Sequence, residues 1–280
     1  RGMSDRIHGI DNDPYHLVLL CENRKGYENL CLMVSEAFIN GFYGKPRVDL
    51  EMLKSHHEGL IALSACLAGG VAQYLLEEDY QAAKAYALKM RDIFGEGDFY
   101  LELQDHGIPK QQEVNRALLL MHQETGIPLV ATNDAHYLRK EDAESHDVLL
   151  CIQTGKKITD EDRMRYGGGQ YYLKSIEEME KLFSYIPEAL ENTEKIADKC
   201  NFDFDFSKRH LPVYPLPEGI SSAAYLKELA EKGLKEKAAK GKLYGGDESA
   251  YKFRMIYELM MIEKMGYCDY YLIVWDFVNY

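Results

Sequence analysis

The sequence predicts an α/β domain followed by a small, mainly helical segment. Short β-rich runs alternate with helical patterns up to Cys200, a proline-bearing break follows, and charged amphipathic helices lie beyond it. The first run, His16 to Cys21, reads as a buried strand, and a helical pattern covers Tyr27 to Asn40. Leu60 to Ser64 is the second strand, followed by helical periodicity from Gly70 to Phe94. Phe99 to Gln104 is the third, with a helix over Lys110 to Thr125 that Gly126 closes as a C-cap. Pro128 to Thr132 is the fourth. Strands joined through helices are expected to run parallel. Gln170 to Lys174 reads as a further strand, with Ser175 capping a helix over Ile176 to Phe183. A helix from Pro187 to Cys200 ends the domain.

From Asn201 to Gly219 the pattern breaks into Asp-Phe repeats and a proline-bearing stretch that begins at His210-Leu211-Pro212, an extended connection between domains. The expected division is therefore a domain over 1–200, a linker over 201–219 and a second segment over 220–280. In that segment Ala223 to Ala239 is an amphipathic helix, Gly245-Gly246 a turn, and Ser249 to Met265 a second helix ended by Gly266. Tyr270 to Tyr280 is apolar and aromatic to the last residue, as expected of a chain that is cut there.

Composition narrows the function classes. A chain of 280 residues can bury a sizeable core. It has no apolar run of membrane-span length and no apolar stretch of secretory type between Arg1 and Asp13, so a soluble, cytoplasmic protein is expected. Six scattered cysteines without a C-x-x-C pair fit reduced thiols. A formal charge of −13 argues against a large phosphate-gripping surface on this chain, because nucleic-acid affinity rests mainly on Lys and Arg.

The residues that point to chemistry gather at strand ends. Asn133-Asp134-Ala135-His136 follows the fourth strand, where residues two apart project to one side, so Asp134 and His136 can face one site as carboxylate and imidazole ligands of a divalent metal. The plainer reading is a turn cap beside a surface histidine. Cys66 lies just past the second strand, as a thiolate ligand or as a small buried hydrophobe. His106 ends the third strand as a ligand, a phosphate contact or a turn residue. His16 opens its strand rather than closing it, so periodicity does not nominate it. His56, His57 and His122 belong to polar loop and helix positions, and His146-Asp147 begins an apolar helix. Gly167-Gly168-Gly169 lacks the preceding strand and the following Lys-Ser/Thr of a phosphate loop, and no nucleophile elbow or H-E-x-x-H helix is present.

Several long strings resemble the alpha subunit of bacterial DNA polymerase III: Tyr15 to Leu20, Gly41 to Asp49, Gly59 to Gly69, Tyr100 to Gly107, Pro128 to Leu138 and His146 to Gly155. The likeness continues through Pro187 to Asn192, His210 to Pro212, Ile262 to Tyr267 and Tyr271 to Phe277. It implies a PHP domain, a (β/α)7 barrel whose strand ends collect divalent metal ions (zinc, manganese or iron), active as a phosphoesterase in some members and only structural in others. The family pattern carries ligands onto His16, Cys66, Asp134 and His136, with His106 left doubtful. The family's H-x-H, D-H-G and glutamate-bearing strands do not occur upstream of His16, so a barrel incomplete at its N-terminus is expected. After Phe277 the family's glycine-serine-rich element and its magnesium-holding aspartates are also absent. The resemblance therefore assigns polymerisation to a longer parent, with no catalytic residue for it here and residues 220–280 as the start of the polymerase thumb and palm. It further implies DNA, deoxynucleotides, a sliding clamp, a proofreading exonuclease and a clamp loader as partners, and no membrane. The competing readings are a freestanding PHP phosphoesterase of the histidinol-phosphatase kind and a non-catalytic scaffold that docks a proofreading subunit.

Overall fold

A computed structural model describes residues 2–207, 211–245 and 247–280. His210 of the proline-bearing stretch and Gly246 of the expected turn lie outside the described residues. The chain divides into two compact units, Arg1–Asp203 and Phe204–Tyr280.

The first unit is built on a four-stranded sheet in the order β1 (Val18–Cys21), β2 (Leu60–Leu63), β3 (Phe99–Leu103) and β4 (Leu129–Ala131). Each strand lies inside the run expected for it. Pairing departs from expectation at one place. β2, β3 and β4 are mutually parallel, whereas β1 runs antiparallel to β2, with Val18 opposite Leu63 and Cys21 opposite Leu60. The two intervening helices, α1 (Arg24–Ile39) and α2 (Leu50–Ser55), return the chain to the same edge instead of crossing the sheet. The seven-stranded closure implied by the resemblance is not among the described elements, which form a mixed α/β unit.

Side-chain alternation divides the strands between two cores. Leu60, Ala62, Phe99, Leu101, Leu103, Leu129 and Ala131 bury one face among helices that include α3 (Gly70–Leu76), α4 (Tyr80–Phe94) and α5 (Pro109–Thr125). The opposite face holds the smaller cluster of Ile61, Leu63, Tyr100 and Val130, closed by Ile196. The single helix expected over Gly70 to Phe94 is two helices. Glu78 adopts φ 61°, and the Asp79 carboxylate caps α4 by accepting from the Ala82 N–H. Three successive polar residues, Glu77 to Asp79, let the backbone turn to solvent there. Gly126 closes α5 in the left-handed conformation, φ 71°, as its position predicts.

Beyond β4 come α6 (Ala143–Thr154), α7 (Ile176–Leu182) and α8 (Pro187–Lys199). α6 begins three residues before His146, which is therefore not the helix start. Ser175 forms a reciprocal capping box with Glu178, but the strand expected just before it is a single parallel bridge between Tyr137 and Tyr172. Two residues in register do not extend a ladder. α8 joins the sheet through buried Asn192, whose amide donates to the Leu129 carbonyl at 2.7 Å.

In the second unit α9 (Ser222–Ala239), α10 (Glu248–Lys264) and α11 (Cys268–Asn279) follow the expected order. Ser221 and Asp247 cap the first two. Leu272 is fully buried among them, and a cavity of about 710 Å³ is lined by Leu226, Leu234, Met255, Leu259 and other residues of the three helices. No helix among the described residues is long and apolar enough to cross a membrane.

Candidate metal centre

The direction of β1 decides what gathers at the rim. Parallel strands β2 to β4 present their C-terminal ends along one sheet edge, and an antiparallel β1 presents its beginning there. His16, just ahead of β1, is thereby brought beside the turn that leaves β2. Its backbone N–H donates to the Ala68 carbonyl at 3.0 Å, and its Nδ1 stands 3.7 Å from Cys66 Sγ.

That turn is tightly wound. Ala65 takes φ 65°, and the Gly69 N–H closes onto the Cys66 carbonyl at 2.8 Å. A Cβ on Gly69 would lie 2.1 Å from the Ser64 carbonyl oxygen, so only glycine lets the two backbone stretches approach this closely. Burial pushes the Cys66 thiol up, and the nearby Asp134 and Glu102 carboxylates push the same way.

Asp134 and His136 lie past the end of β4, in a turn where Asp134 has φ 44°, so strand alternation is not what brings them together. The turn does so instead. His136 Nδ1 contacts the Asp134 carbonyl at 2.9 Å and stands 4.0 Å from the Asp134 carboxylate. Asp134 lines a cleft of about 510 Å³ together with His16 and Cys66. The His136 ring packs among Tyr166, Tyr171 and His146, at centroid distances of 4.4, 5.3 and 5.8 Å.

His106 is buried and fully engaged. Its Nε2 donates to the Asn133 carbonyl and its Nδ1 accepts from the Gln111 amide, both at 2.9 Å, while its ring stacks on Tyr171 at 4.0 Å. Burial holds its pKa below the usual imidazole value. A neutral ring with both nitrogens bonded acts as a brace for the turn that carries Asp134.

Glu102 was not singled out by sequence reasoning. It is 6% exposed on the face of β3 that carries Tyr100, and it lines the same cleft. Thr132 Oγ1 and Gln104 Nε2 both donate to its Oε1, and burial raises its pKa. Oε2 has no hydrogen-bond partner among the described residues. The available signal was alternation: Tyr100, Glu102 and Gln104 share one face of a strand too apolar to lie at the surface.

The donor set suits a divalent cation, since imidazole, thiolate and carboxylate are its common protein ligands. Two ligands of one tetrahedral ion, at ordinary Zn–N and Zn–S lengths, stand about 3.6 Å apart, near the distance between His16 and Cys66. Among the described residues, no three such groups converge closely enough to chelate one ion as positioned.

Residues 3–106 match the PHP domain, and residues 224–280 match the bacterial DNA polymerase III alpha NTPase domain. The chain is 43% identical over 268 residues to the DNA polymerase III subunit alpha of Borreliella burgdorferi, covering 95% of this chain and 23% of that protein. The Treponema pallidum protein of the same name is 40% identical, over 98% of this chain and 23% of its own length. That of Thermus aquaticus is 35% identical, over 98% of this chain and 27% of its own. The chain thus spans about a quarter of the length of these relatives.

Proposed function

Because the chain belongs to the family of bacterial DNA polymerase III alpha subunits, we propose that it is the PHP-bearing segment of a replicative DNA-directed DNA polymerase, with a divalent metal site at its sheet rim. The contact between His16 and Cys66 carries the reading: residues fifty positions apart meet as ligand types on the cleft that Asp134 also lines. His16, Cys66, Asp134 and His136 are the proposed ligands of zinc, manganese or iron, and His106 holds the turn beneath them. Residues 1–200 are proposed as part of a (β/α)7 PHP barrel, with 201–219 as linker and 220–280 as the beginning of the polymerase region.

A cation bound there would supply Lewis-acid polarisation of a phosphoester. The chain's own residues do the rest. Cys66 and His16 would anchor the cation, Asp134 would add a carboxylate from the same cleft, and the Tyr166 and Tyr171 rings pack around His136. Removal of a mismatched primer end is the phosphoester chemistry that suits a polymerase. Template-directed synthesis, with magnesium held outside this segment, belongs to the parent protein, whose partners are DNA, deoxynucleotides, the sliding clamp, a proofreading exonuclease and a clamp loader in the cytoplasm.

Elemental analysis of the chain purified without chelator tests the metal reading. Stoichiometric metal that is lost in a Cys66→Ala/Asp134→Ala double variant is expected, and absence of metal from the unaltered chain refutes it. Nucleotide incorporation by the product of the longer reading frame tests the polymerase reading, and its absence refutes that part.

A further inference from the structure

We propose that Glu102 is a further ligand of the cation in this cleft, its free carboxylate oxygen facing the metal that His16, Cys66 and Asp134 bind; this rests on the metal reading above. Three observations carry it. Glu102 is 6% exposed and lines the same cleft as the other three side chains. Its side-chain hydrogen bonds are one-sided: Thr132 Oγ1 and Gln104 Nε2 both reach Oε1, the Ala65 backbone N–H also favours the ionised carboxylate, and Oε2 has no partner at hydrogen-bond distance among the described residues. Neither donor carries a charge, and none of the ion pairs among the described residues includes Glu102.

Burying a carboxylate is unfavourable unless an opposite charge offsets it. The strand had cheaper choices at this position, because Tyr100 and Val130 beside it form an apolar cluster that a leucine would extend. A buried glutamate with one oxygen held by two neutral donors and the other buried without a partner keeps an unmet acceptor that a cation would satisfy. Thr132 and Gln104 then fix the direction of the unpartnered oxygen, as hydrogen-bonded partners commonly do for metal-binding carboxylates. Gln104 is anchored in turn, since its carbonyl accepts from buried Asn115 at 2.9 Å.

The test is a cobalt(II) titration of this chain, followed by thiolate-to-cobalt charge-transfer and ligand-field absorption. Glu102→Gln keeps an acceptor oxygen for Thr132 and Gln104 while removing the charge. The variant is expected to bind cobalt at least ~10-fold more weakly than the unaltered chain, with an altered ligand-field band. Equal affinity and an unchanged spectrum overturn the role of Glu102 and leave the metal site standing. No charge-transfer band in the unaltered chain overturns both. A crystal structure of the cobalt-loaded unaltered chain decides the matter independently of how the variant folds: Glu102 Oε2 within about 2.2 Å of the ion is expected, and a distance beyond about 3.5 Å overturns the proposal.

Discussion

Replacing Gly69 by alanine tests how the rim is built. The added methyl would lie 2.1 Å from the Ser64 carbonyl oxygen and 3.1 Å from that of Cys66, both backbone atoms that no side-chain rotation can withdraw. Ordinary contact begins near 3.4 Å, so the turn must open by more than an ångström. The φ of Gly69, −72°, is open to any residue, which makes the cost steric and not conformational. Overpacking of this kind costs about 1–3 kcal/mol, and a rigid turn between β2 and α3 belongs at the upper end. The control is Gly126→Ala, where φ is 71° and nothing lies within 4 Å. There the cost is conformational alone, roughly 1 kcal/mol. In urea unfolding followed by circular dichroism, Gly69→Ala should lose about 2 kcal/mol more than Gly126→Ala. Opening this turn also draws Ala68 away from His16, so Gly69→Ala alone should weaken cobalt binding. A Gly69→Ala midpoint at or above that of Gly126→Ala would refute the steric account of the turn.

Other expectations follow from buried polar groups. Arg47 is 8% exposed and donates to the carbonyls of Met3, Asp5, Asp11 and Gly41, at 2.7–3.0 Å. Lysine cannot span that set from one nitrogen, so Arg47→Lys should cost about 2–4 kcal/mol and speed amide exchange across residues 3–13; unchanged exchange there would sink the idea. Asn192→Ala leaves the Leu129 carbonyl in the sheet without its donor and should cost about 1–3 kcal/mol in urea unfolding, whereas a change below half a kcal/mol would show that water replaces the amide. Burial pushes Tyr86, packed against Tyr15 and Tyr74, up to about 12. The folded chain therefore keeps a proton that the unfolded chain releases near pH 10, so stability falls as pH rises from about 10 to about 12. Tyr86→Phe should flatten that fall, and an unchanged slope would show that other groups cause it.

Much of the local structure was legible in the sequence. Apolar runs of strand length marked β1 to β4, and Gly126 and Ser175 marked helix ends through chemistry that acts over a few residues. Residue type also nominated Cys66, Asp134 and His136, and family likeness added His16. Where local signals misled, the reason was local too: the Glu77 to Asp79 break fell inside a continuous apolar period, and Gln170 to Lys174 had strand composition without a partner strand long enough to pair.

What tertiary structure alone decided is direction and company. Periodicity reports which residues share a face, but it does not say which way a strand runs beside its neighbour. The antiparallel setting of β1 is a choice between long-range pairings, and it turned His16 from the wrong end of a strand into a companion of Cys66. In the same way, a glutamate in a buried strand is only an oddity of composition until folding supplies two donors to one of its oxygens and none to the other. The sequence chose the donors; packing of distant segments at one sheet edge chose which of them share a cleft.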